Sequence, residues 1–260
     1  MLTIREFLLP GAVIIIITNN FIIFVTVIFL AFSSIASAEG IAKFYLAGKK
    51  DGKLYSAIHD VYREAFAQIG FDFQASPCVP KTCSQMKMDE AIVGEGARQR
   101  GYDQLQNRLD RIDIDIFTIK TIAFTRKSDQ PNLLLKDLAN DTRKVAYQQG
   151  FDGYRKMLVS LRGDNSVIES VHWEYGLKKL LNGDIDMYVG SEQIIIPELS
   201  AKDLKNYSIE HIEDADFKEY PYIGKDFSEY SEIIKKALVE MKAKGRINSI
   251  FEHYGVSTGQ

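Results

Sequence analysis

Cysteine and histidine are scarce in this 260-residue chain, with two of the first and four of the second. That scarcity excludes a scaffold stapled by many bridges. The histidines, His59, His172, His211 and His253, stand too far apart to offer metal-ligand spacing, so no metal is expected. There is no glycine-rich phosphate loop, no Gly-x-Ser-x-Gly elbow and no pattern marking a nucleophile, its base and an orienting group. Neither a cofactor nor an enzyme is expected. Positive charge is not in excess either: the formal net charge is −3, and no basic stripe stands out, so nucleic acid is not an expected partner.

Long apolar runs are confined to the first 38 residues. Arg5 gives a weak positive start, Phe7 to Phe32 is largely apolar, and Ala36-Ser37-Ala38 matches a small-x-small cleavage site. Residues 1–38 are therefore expected to be a secretion signal cut after Ala38, which sends the chain to the periplasm. A single membrane anchor is the competing reading, because the apolar length approaches the roughly 20 residues a spanning helix needs. Cys78 and Cys83, separated by Val-Pro-Lys-Thr, are expected in an exported chain to close a small disulfide loop.

The rest alternates strand and helix signals. Ile41 to Leu46 reads as a strand, Leu54 to Ile69 as a helix ended by Gly70, and Phe71 to Ala75 as the next strand. Ser84 to Ile92 reads as a helix, and Val93-Gly-Glu-Gly-Ala-Arg98 as a flexible polar loop. Ile112 to Arg126 is the longest β-rich run, suited to one or two crossing strands. A second set follows: a short helix or turn over 133–138, strands at 144–147, 184–189 and 207–212, and helices opening at Gly150 and over 174–181. The end, from Phe227 to Gly255, places Tyr230, Ile233, Ile234, Ala237, Leu238 and Met241 on one helical stripe. Asp226 with Glu229 offers a capping box, and Gly245 a left-handed stop.

Four stretches in this order carry a resemblance to the bacterial extracellular solute-binding proteins, family 3. They are Ala123-Phe-Thr-Arg-Lys127, Lys144-Val-Ala-Tyr-Gln-Gln-Gly150, Leu180-Leu-Asn-Gly-Asp-Ile-Asp-Met187 and the closing helices. A marine-type subgroup is similar around Val93-Gly-Glu-Gly-Ala-Arg98 and Tyr102, although valine stands where that pattern has aspartate and Asp115 where it has proline. The resemblance implies an α/β, two-lobe periplasmic-binding-protein-like fold, each lobe a mixed sheet flanked by helices and the two joined by hinge strands. Residues 39–122 and 218–260 would form the first lobe and 123–217 the second. It also implies a monomer that captures a small-molecule solute, amino-acid-like or another carboxylate, for an ABC-type permease.

A cleft that holds a small charged solute needs counter-charges, backbone donors and apolar surface. Arg98 could form a planar fork for a carboxylate, or an ion pair with Glu95. Gly150, with Gln149 before it, could present backbone N–H groups to an anion at a helix start, or serve as a plain turn. Asp186 could receive an ammonium group or pair with a lysine. Tyr45 and Trp173 could stack on a ligand, Trp173 with core packing as its alternative. Arg126 is a further candidate, also explained by a hinge-strand salt bridge. Two other functions stay open. One is a dehydratase- or lyase-like enzyme with Glu95 as base; the other is a membrane-tethered sensory module.

Overall fold

A β-branched and aromatic stretch, Gly40–Ala47 (β3), begins the first of two mixed sheets in a computed structural model of the chain. The structure describes residues 8–9, 12–13, 40–78, 92–105, 107–127, 143–148, 151–163, 167–170, 172–212 and 215–260. Most of the expected signal, Cys83, the expected helix at 84–91, the turn at 133–138, Gln149 and Gly150 lie outside them. Of the first 37 residues, Leu8–Leu9 (β1) and Ala12–Val13 (β2) pair antiparallel. Among the described residues no helix is long and apolar enough to cross a membrane.

In the first sheet, β3 lies parallel to Phe71–Cys78 (β4) on one side and to Ile92–Gln99 (β5) on the other. Between β3 and β4 runs Lys53–Gln68 (α1), whose Tyr55, Ile58, Val61, Tyr62, Ala65 and Phe66 are buried against the sheet. After β5 come the short helix Tyr102–Leu105 (α2), then Leu109–Arg111 (β6) and Phe117–Ile119 (β7).

One residue later the chain enters the second sheet through Thr121–Arg126 (β8). The β-rich run thus holds two strands, one in each sheet. Val145–Gln148 (β9) leads to the helix Asp152–Arg162 (α3), and Val167–Ser170 (β10) to Trp173–Asn182 (α4). Met187–Ser191 (β11) is followed by Glu192–Ile195 (α5), a 3-10 turn at Ile196–Glu198, Ala201–Leu204 (α6) and Tyr207–His211 (β12). The order is β10-β9-β11-β8-β12, with β9 parallel to β10 and β11, and β8 antiparallel to β11 and β12.

The return is made by Phe217–Gly224 (β13), which pairs antiparallel with β5, β6 and β7 and so completes the interior of the first sheet. Ser231–Ala243 (α7) and Arg246–His253 (α8) then bury Ile234, Ala237, Leu238, Met241, Ile247, Ile250 and Phe251 in the core shared with α1. Gly245 between them has φ 69°, the left-handed stop expected from sequence.

Three local expectations are corrected. The Gly-Glu-Gly segment is not a loop but part of β5. A Cβ on Gly94 would lie 2.4 Å from the Tyr222 carbonyl oxygen, and one on Gly96 2.1 Å from Leu46 Cδ2. The glycines admit close neighbours to a strand; they do not loosen it. The capping box at Asp226 does not form, because Lys225–Tyr230 is a 3-10 segment with non-helical φ/ψ at Phe227, and α7 starts at Ser231 without a side-chain cap. Finally, β11 starts at Met187, so Asp184 and Asp186 precede the strand and share no strand face.

Candidate functional site

In α/β sheets a ligand crevice lies beyond the carboxyl ends of strands, where the connections on either side run in opposite directions. In the first sheet that point falls between β3 and β5. Tyr45 stands opposite Glu95 there, Glu95 opposite Tyr222 on β13, and Tyr222 opposite Arg111 on β6. Residues directly opposite share a face, so this row runs across four strands, with Arg98 opposite Tyr220 in the adjoining row. On the other face Gly96 and Leu46 pack under α1, against its Tyr62. Tyr62 helps hold β5 in place by donating its hydroxyl to the Gly96 carbonyl.

Arg98 and Glu95 form the centre of this face. The Nε of Arg98 donates to Glu95 Oε2 at 2.5 Å, and the Tyr102 hydroxyl donates to Oε1 at 3.1 Å. The guanidinium lies 5.1 Å from the centre of the Tyr102 ring. Only 11% of the Arg98 side chain is exposed, and its Nη2 is buried without a hydrogen-bond partner among the described residues. Burial opposes its charge, but Glu95 and Tyr102 more than offset this, and the pKa is raised. Burial pushes the Tyr102 hydroxyl up to about 12 as well, so both groups keep their ordinary protonation across the neutral range. The arrangement is a guanidinium braced from one edge, with another N–H left to donate.

Tyr45 is 7% exposed and packs with Cys78, Val93 and Phe227, and the Lys43 ammonium lies 5.9 Å from its ring centre. The structure thus brings Tyr45, Glu95 and Arg98 onto one face. Arg126 and Asp186 are elsewhere. They join through Nη2 and Oδ1 at 3.2 Å, while Arg126 Nη1 donates to the carbonyls of Leu180 and Ile185 at 2.7 Å. Asp186 Oδ2 accepts the Lys144 N–H at 2.8 Å. These contacts fasten the end of α4 at the starting ends of β9 and β11, opposite the edge where β9 leads to α3. Trp173 opens α4, half-buried against Ile122, Phe124, Leu177 and their neighbours.

Sequence reasoning missed Glu219. It stands on β13 opposite Gln99 and Phe117, 4% exposed, and no hydrogen bond to its carboxyl forms among the described residues. Burial raises its pKa to about 8, with Arg98 pulling the other way, so the group is neutral at pH 7. Burial raises the Tyr62 hydroxyl on α1 and the Tyr154 hydroxyl on α3, and the Glu219 carboxylate, once ionised, would raise both further. The first turn of α3 seats beside it: a Cβ on Gly153 would come 2.6 Å from the Phe217 ring and 3.2 Å from Gln99 Oε1. Tyr220 and Tyr222 were also missed. Their alternation about Pro221 was the available signal, but which strand they face depends on a pairing 120 residues distant.

Two solved structures decide the fold. An ancestral arginine-binding protein bound to arginine is 18% identical and superposes with a TM-score of 0.63, covering 84% of this chain and 99% of that one. A histidine kinase sensor domain with similarity to periplasmic binding proteins is 15% identical with a TM-score of 0.65, covering 83% and 97%. The fold is that of the periplasmic binding proteins. An uncharacterized protein of Shewanella oneidensis is 27% identical over 202 residues, 75% of this chain and 72% of that one. No protein-family model matches the sequence. In the periplasmic-binding-protein fold each sheet forms the centre of one lobe, and the Tyr45–Glu95–Arg98 face belongs to the first.

Proposed function

We propose that the chain is an exported, monomeric solute-binding protein that closes its two lobes on a small polar solute bearing a carboxylate, an amino acid or a relative, for delivery to an ABC-type permease. The lobes follow residues 39–122 with 218–260, and 123–217. The exported state includes removal of residues 1–38 and closure of the Cys78–Cys83 loop. The observation that carries this reading is the Nη2 of Arg98, buried and without a partner among the described residues, on a guanidinium that Glu95 already fixes. A carboxylate there would gain a charge-assisted hydrogen bond from a donor whose orientation is already set. The arginine-bound neighbour supports an amino-acid-like solute.

A ligand that binds only the folded chain must raise its stability. Thermal-shift screening over amino acids, organic acids and polyamines is expected to find a stabilising carboxylate whose effect is lost in Arg98→Ala. A panel without any stabiliser overturns the reading. Catalysis with Glu95 as base has less support, because both oxygens of that carboxylate are engaged by Arg98 and Tyr102. The sensory reading keeps one specific support, the kinase sensor domain among the structural neighbours. Finding the N-terminus of the exported protein at Glu39 favours a free binder, and an intact residue 1–38 segment favours a tethered sensor.

A further inference from the structure

The helix α1 begins without a cap of its own. Its N-cap residue, Gly52, has no side chain to accept a hydrogen bond, and its first turn contains no acidic residue. A helix start needs acceptors for its free N–H groups and favours negative charge nearby. Here the acceptor comes from the other lobe. Glu198, in the 3-10 turn after β11 and α5, accepts the Lys53 backbone N–H on Oε1 at 3.0 Å, and the Lys53 ammonium donates to the Pro197 carbonyl at 2.6 Å. The two segments are 145 residues apart and follow strands of different sheets, β3 and β11.

We infer that Glu198 and Lys53 form a latch between the lobes, in which the second lobe caps α1 of the first only while the cleft is closed, so that Glu198 sets the resting balance of closed and open forms. The inference rests on the two-lobe, solute-binding reading above. Opening separates Glu198 from α1 and returns the Lys53 N–H to water. The segment that carries Glu198 is held from behind, because Gln193 Oε1 accepts the Lys120 N–H at 2.9 Å beside the crossing into β8. A rigid support of this kind lets one carboxylate bias a whole lobe. Both Lys53 and Glu198 are exposed, so replacing them leaves the core intact.

The test uses the full chain without solute. Fluorophores at the exposed positions Lys178 on α4 and Lys236 on α7 report the distance between lobes in single molecules. Glu198→Ala is expected to shift the open-to-closed ratio toward open by about threefold to tenfold, the worth of one helix cap. Glu198→Gln, whose amide oxygen can still accept from Lys53, should shift it less, and Lys53→Ala should shift it in the same direction as Glu198→Ala. Identical distance distributions in the wild type, Glu198→Ala and Lys53→Ala overturn the latch. The solute panel separates the two ideas. A stabilising solute with unchanged distributions removes the latch alone; a shifted ratio with no stabiliser sustains the latch and removes the solute reading.

Discussion

Glu219 is the residue with the plainest pH consequence. The folded chain keeps its carboxyl proton up to about pH 8, because burial disfavours the charged form. An unfolded glutamate gives up that proton near pH roughly 4.3. Between those values the folded state holds more protons than the unfolded one, so stability falls as pH rises. The contribution is fully present below the ordinary glutamate range and is lost by about pH 8. Denaturant titrations from pH 5 to 9 are expected to show this decline, and Glu219→Gln, neutral throughout, should flatten it. Coinciding slopes for the two proteins would show that the side chain is hydrated or otherwise paired. Arg98 makes a contrast, since its buried charge stays on at every pH in that range and Glu95 answers it directly.

The Arg126–Asp186 brace acts on an element. The C-terminal carbonyls of a helix lack partners within it, and here a guanidinium serves Leu180 as well as Ile185 in the turn beyond Gly183. Arg126→Ala is expected to cost about 1–3 kcal/mol of stability, the usual range for removing one partner of a buried polar group, because the Leu180 carbonyl keeps the Gly183 N–H while the Ile185 carbonyl and Asp186 lose the guanidinium. It should leave affinity for a solute unchanged, since the brace lies at the starting ends of β9 and β11. A large loss of affinity at unchanged stability would place Arg126 in the cleft after all. This pair also shows where sequence reading stops. Helical stripes and glycine stops are local, and α1, α4, α7 and Gly245 were legible from spacing alone. Tyr45, Glu95 and Arg98 were named from sequence and do share a face, but the alignment of Tyr45 with Glu95 comes from a strand pairing 50 residues apart. The glycines of β5 misled because a glycine required by close packing and one required by a turn look the same in a string of letters.

For the whole molecule, the key fact is that β13 is an interior strand of the first sheet although it is the last strand made. Without it β6 and β7 lose their partner, and β5 loses its pairing on one side. A chain ending at Asp216 is expected to keep the second sheet, whose strands all lie between residues 121 and 211, and to lose the first. Hydrogen exchange on such a truncation should show protected amides in β8, β9 and β11 and none in β3. Protection in β3 would mean that the early strands are stable by themselves.

As the chain emerges from one end to the other, then, the middle of this polypeptide has every piece it needs before the beginning does. Strands β3 to β7 emerge early and stay unfinished, with hydrophobic surface uncovered, while the second sheet emerges and can fold behind them. Only when residues 217–260 have emerged can the early strands be sealed, which makes that stretch the step that commits the protein to its final form.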